Sequence, residues 1–171
     1  MSEQKKDLFE GGLEQYSTFD VLVDNLLIFL WIFTGGYVCW LFMPVIGWIY
    51  LGFGLIMVLG ILRVIVCQNC YYHGKKCHSA WGKLSAMYCR QGDYYKFGAG
   101  IIGPVILTFW GSMALVPLIL GVISIIQNFS LFKIVMMVTF FIIVLLSAVI
   151  LRKNTCSKCK MKYLCPGSAS K

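Results

Sequence analysis

Charge is what this chain lacks most. Only 13% of its 171 residues are Asp, Glu, Lys or Arg, while 59% are apolar; a soluble domain carries roughly a quarter charged residues. The shortage is concentrated in two blocks, Val21 to Val66 and Phe97 to Leu151, which hold no Asp, Glu, Lys, Arg or His apart from Asp24, Arg63 and Lys133, all close to helix ends. An ion-coupled transporter or proton pump ordinarily needs an ionisable group at mid-membrane depth, so that class is excluded. Histidine is scarce too. The only two, His73 and His78, lie in one polar segment, which excludes a haem held between two histidines inside the bundle. There is no glycine-rich phosphate loop and no metalloprotease His-Glu-x-x-His. No arrangement of residues marks a hydrolase. The first residues are acidic rather than basic-then-apolar, so no cleavable leader is expected.

Each apolar block is too long for one membrane span of about 20 residues and suits two. The expected fold is therefore an all-α membrane protein of four transmembrane helices arranged as two tandem hairpins. The runs are too continuous for the alternating pattern of a membrane β-barrel. Spans are expected near Asn25 to Met43, Val45 to Val66, Phe97 to Ile126 and Leu131 to Leu151. Pro44 should break the first pair, and Pro104 and Pro117 should kink the third helix. Ser79 should open a short helix ending at Gly92, its Trp81, Leu84 and Tyr88 forming an interfacial face on the headgroups. Tyr94, Tyr95 and Phe97 read as an aromatic belt where the chain re-enters lipid.

One motif occurs twice. Ile61-Leu62-Arg63 precedes Cys67, Cys70 and Cys77, and Ile150-Leu151-Arg152 precedes Cys156, Cys159 and Cys165. In each copy the Arg stands the same distance before a C-x-x-C, and each copy follows a long apolar run. The pattern implies an internal duplication of a hairpin plus a Cys knuckle. It divides the chain into an acidic segment (1–20), a first hairpin and knuckle (21–77), an interfacial helix (78–96), a second hairpin and knuckle (97–165) and a tail (166–171).

The basic residues are distributed unevenly. Lys75, Lys76, Lys83, Arg90 and Lys96 fall in the loop between the hairpins, and Arg152, Lys153, Lys158, Lys160, Lys162 and Lys171 fall in the tail. The positive-inside rule puts loop, tail and both termini in the cytoplasm, as expected of a multi-pass protein of a prokaryotic cytoplasmic membrane. Residues 1–24 carry Glu3, Asp7, Glu10, Glu14, Asp20 and Asp24 against Lys5 and Lys6. That segment either folds back on the basic end or stays solvated.

Of the eight cysteines, all but Cys39 belong to the basic end, and Cys39 reads as a packing residue. A reducing cytosol argues against a disulfide framework. Two C-x-x-C knuckles can instead converge on one tetrahedral ion, so Cys67, Cys70, Cys156 and Cys159 are the expected ligands of a zinc site. Nearby Lys75, Lys76, Lys158 and Lys160 should favour thiolate over thiol. With the third Cys of each copy, Cys77 and Cys165, the two runs also look like part of an iron–sulfur binding run; Cys89 would complete a first cluster from Cys67, Cys70 and Cys77, and His73 is a candidate extra ligand. Function then reads as a membrane scaffold or accessory subunit rather than an enzyme, with a cytoplasmic Cys-ligated metal site. A membrane electron-transfer component carrying an iron–sulfur cluster is the alternative, and a soft-metal carrier a third. The expected partners are the lipid bilayer and a protein at the basic face; no nucleic acid is expected.

Overall fold

The computed structural model describes residues 8–79, 81–93, 97, 102–165 and 168–170. Among these residues the regular structure is entirely helical. Helix α1 covers Thr18–Phe42, α2 Pro44–Cys67, α3 Trp81–Tyr88, α4 Ile102–Gln127 and α5 Leu131–Ser157. All but α3 are long and apolar enough to cross a membrane.

Helix α1 starts earlier than hydropathy alone suggests, because Ser17 caps it. Its Oγ accepts from the Asp20 N–H at 3.1 Å, and Asp20 sits in the first turn, where a negative charge suits the helix dipole. Asp20 and Asp24 are consequently helical. At the other end Met43 is extended and Pro44 begins α2 directly. Proline is well placed there, since the first helical residue has no use for an N–H. Pro104 has a similar position in the first turn of α4, where it need not bend the helix.

Pro117 is different: it lies inside α4. Having no N–H, it leaves the carbonyl of Met113, four residues earlier, without a helical partner. In lipid an unpaired carbonyl is costly. Two side chains of the first hairpin supply the missing donors. Trp31 Nε1 donates to Met113 O at 3.2 Å and the Tyr50 hydroxyl at 2.7 Å, and all three residues are buried. The proline in one hairpin is thus matched by an indole and a phenol in the other. Around this latch Ile32, Cys39, Tyr50, Val58, Leu62, Phe109 and Met113 form the main core. Cys39 is fully enclosed in it.

Helix α1 packs against α2, α4 and α5 and is the centre of the bundle. Helix α5 is its periphery, with 6% of its apolar window buried against 22–28% for the other spans. Lys133, at the start of α5, does not point away from the protein. Its Nζ donates to Ser124 O at 3.0 Å, which also accepts the Asn128 N–H, and to Asn128 O just past the helix at 3.2 Å, a cation set at the negative end of the α4 dipole.

Both motif-bearing helices widen into a π segment just before the repeated Arg: Met57–Ile61 in α2 and Leu146–Leu151 in α5. In the first, Arg63 turns back so that its Nε donates to Val58 O at 3.2 Å. Its guanidinium also lies 5.5 Å from the centre of the Trp81 ring. Helix α5 then continues through Arg152 to Ser157, beyond the expected end at Leu151.

Candidate metal centre at the cysteine-rich end

The two knuckles have the same local backbone. Cys67 closes α2 and Cys156 lies in the last turn of α5. The Cys70 N–H donates to Cys67 O and the Cys159 N–H to Cys156 O, each at 3.2 Å; the next turn repeats it, His73 to Cys70 O and Lys162 to Cys159 O, each at 3.1 Å. The copies diverge afterwards. Gly74 takes a positive φ of 77°, and the first copy folds under α3.

That helix packs through a different face from the one its apolar spacing suggests. Gly82 and Ser85 are buried, while Tyr88 is exposed. A Cβ on Gly82 would stand 1.9 Å from Tyr72 O, so only glycine allows this approach. Ser85 Oγ donates to Arg63 O at 3.2 Å. The helix ends at Tyr88 rather than Gly92. Phe97 is buried; Tyr94 and Tyr95 lie outside the described residues.

Cys77 is buried, and its sulfur accepts from the Gly82 N–H at 3.4 Å. Cys89 lies beside Ser85, its Sγ 3.0 Å from Ser85 Oγ and 3.9 Å from His73 Nε2. Cys70, Cys77 and Cys159 pack around the Tyr16–Tyr72 pair, so each copy sends a knuckle sulfur to one cluster. Cys156 and Cys165 are half-buried. Among the described residues no group of three or more His, Cys, Asp or Glu is gathered closely enough to hold a metal ion.

The expected thiolate character does not follow from the surroundings. Burial pushes the Cys159 thiol up to about 11 and Cys70 well above the usual thiol range. Two of the four lysines that were to offset this are engaged elsewhere. Lys160 pairs with Glu14, and Lys75 lies 3.6 Å from the same carboxylate and 4.1 Å over the Tyr71 ring.

Those contacts belong to a strap, residues 8–16, that folds back across the basic end. Phe9 N–H donates to Lys160 O and Leu13 N–H to Lys158 O, both at 2.9 Å; Tyr16 N–H donates to Lys76 O at 3.0 Å. Leu13 and Cys159 form an isolated parallel bridge. The Tyr72 hydroxyl donates to Leu13 O at 2.7 Å and the Tyr16 hydroxyl to Thr155 O at 3.0 Å. Glu14 also accepts from the Tyr71 hydroxyl. Hydrogen bonds from Lys160 and Tyr71 hold its carboxyl at about 2, against an ordinary 4.5. At the start of α1, Asp24 Oδ2 meets His78 Nδ1 at 2.6 Å. The acidic-against-basic contrast left this fold-back as one of two readings, and residues 8–16 take it. The roles of Tyr16, Tyr71 and Tyr72 had no such signal, since a Tyr pair beside a Cys knuckle looks like any interfacial aromatic.

Compared with protein-family models, curated proteins and solved structures, the chain has no significant match to any of them.

Proposed function

We propose that this chain is a membrane scaffold or accessory subunit made of two duplicated hairpins, whose basic, cytoplasmic end carries a Cys-ligated zinc site and presents a docking surface. The observation that carries this reading is the convergence of Cys70 and Cys159, one from each copy, on the Tyr16–Tyr72 cluster. The duplication is supported by the equal turns at the two C-x-x-C units and by the π segment ahead of each Arg. Cys67, Cys70, Cys156 and Cys159 are the ligand set. Tetrathiolate ligation at Zn–S distances of about 2.3 Å requires the two knuckles to close further on one another. The tail, with little core of its own, is the part that gains most from such a link. Orientation rests on the basic loop and tail.

A second reading places a centre within the first copy, from Cys67, Cys77, Cys89 and His73, and is favoured by the approach of Cys89 to His73. An iron–sulfur cluster there would make the chain an electron carrier. Metal analysis of anaerobically purified protein separates the two. Stoichiometric zinc in a colourless protein, lost in the Cys156→Ser/Cys159→Ser variant, is the expected result. Metal content unchanged in that variant removes the shared site, and iron with visible absorption turns the reading to the second centre.

A further inference from the structure

We propose that the loop–tail surface is a peptide-binding groove for an acidic segment with two aromatic anchors on a partner protein, and that residues 8–16 occupy it in cis. This proposal does not depend on the metal reading. The strap turns over residues 9–12, where the Gly12 N–H donates to Phe9 O at 3.0 Å, and on either side of that turn it is bound by main-chain hydrogen bonds and by separate side-chain sites, the two parts from which peptide recognition draws affinity and specificity. Lys158 O and Lys160 O take the Leu13 and Phe9 N–H groups. The Tyr72 hydroxyl closes the pairing by donating to Leu13 O, and is itself held by the Lys160 N–H at 3.2 Å.

Four positions are read individually. Phe9 stands edge-on to Tyr163 at 5.8 Å, with Lys162 Nζ 5.3 Å from its ring centre. Gly12 passes so close to the tail that a Cβ would fall 2.7 Å from Lys160 N; any larger residue would lift the strand. Glu14 enters a carboxylate site made by the Tyr71 hydroxyl, Lys160 and Lys75. Tyr16 packs on Tyr72 at 5.7 Å and sends its hydroxyl to Thr155 O. The groove therefore selects aromatic-x-x-Gly-x-Glu-x-Tyr.

The cis occupant is held weakly enough to leave. Of residues 8–16 only Tyr16 is buried, and Glu14 and its neighbours are exposed. Segments with little buried apolar contact open at a small fraction of the global unfolding free energy. The tether gives the strap an effective concentration on the order of millimolar, so a free peptide competes poorly until the strap is impaired.

The test uses the full chain in nanodiscs of zwitterionic lipid and a fluorescein-labelled peptide of residues 8–17. Gly12→Val with Glu14→Lys impairs the strap and leaves every groove residue intact. Anisotropy should show the peptide binding this double variant more tightly than the unaltered chain, by about tenfold or more. Adding Lys75→Ala and Lys160→Ala should abolish the binding. No binding to the double variant overturns the proposal. So does equal binding of a scrambled peptide of the same charge, which would reduce the surface to a non-selective basic patch of the kind that holds anionic lipid.

Discussion

The two copies of the Cys motif turn in the same way and are supported in different ways. The first is followed by chain that returns to it. Helix α3 presses Gly82 against Tyr72 O and Ser85 against Arg63 O, and both Cys67 and Cys77 are buried. Among the described residues no helix covers the second, and Cys156, Cys159 and Cys165 are all half-buried. Its packing is borrowed from the far end of the sequence, through the strap's pairing with Lys158 and Lys160 and through the Tyr16 hydroxyl on Thr155 O. Repetition thus reproduces the backbone turn, which depends on local sequence. It does not reproduce the surroundings, which depend on what chain is at hand.

The strongest way to break this comparison is to damage one copy alone. Gly82→Val places side-chain atoms where Tyr72 O already stands. Overpacking against backbone cannot be relieved by a rotamer change and costs about 3 kcal/mol or more. Hydrogen exchange should show the Cys70 and His73 amides losing protection while those of Cys159 and Lys162 keep most of theirs. Equal loss in both copies would mean that the knuckles are one cooperative unit.

A smaller effect is expected from Tyr16→Ala. The side chain is 5% exposed, and removing a buried aromatic ring costs about 3 kcal/mol before local relaxation. At this surface site, with the strap free to collapse, about 1–2 kcal/mol is expected. The variant should expose the tail more than the loop, because the loop keeps α3. Alkylation by a maleimide should therefore accelerate more at Cys159 than at Cys70. The reverse order would show that the strap serves the first copy.

Much of the bundle could be read from hydropathy, because lipid-crossing helices declare themselves by length and lack of charge. The misplaced ends have local causes. Ser17 caps α1 ahead of its apolar run, and α5 carries its hydrogen bonds on through Arg152, Lys153 and Asn154, residues that hydropathy assigns to water. The π segments have no compositional mark at all. At the cysteine-rich end the C-x-x-C spacing located the two matched turns, while the partners of each sulfur depended on contacts remote in sequence. Tyr16 reaches Cys159 from the other end of the chain, and Lys75 and Lys160 turn to Glu14 rather than to the sulfurs. The strap has no periodicity to find, since it is a turn over residues 9–12 and an isolated bridge at Leu13, held by two aromatics, a glycine and a carboxylate.

The smallest effect sharpens the comparison by titrating the strap. Glu14 ionises at about 2 in the folded chain against 4.5 ordinarily, first because of its hydrogen bonds with Lys160 and Tyr71. A depressed carboxyl pKa contributes stability that is fully present above the unfolded value and lost as pH falls through the folded one. The strap should therefore hold at full strength above pH 4.5 and loosen between there and about 2. The side chain is 65% exposed, so salt screens the interaction and the change is confined to local opening rather than global unfolding. Carbon-13 NMR of the Glu14 carboxyl should give a midpoint near 2 that moves toward 4.5 in high salt. Below that midpoint the Leu13 amide, paired with the second copy, should lose exchange protection relative to the amide of Cys70, which stays within the first. Glu14→Gln should flatten the dependence. A midpoint near 4.5 at low salt would show that the carboxylate is not held between the two copies, and the second knuckle would then rest on Tyr16 and backbone pairing alone.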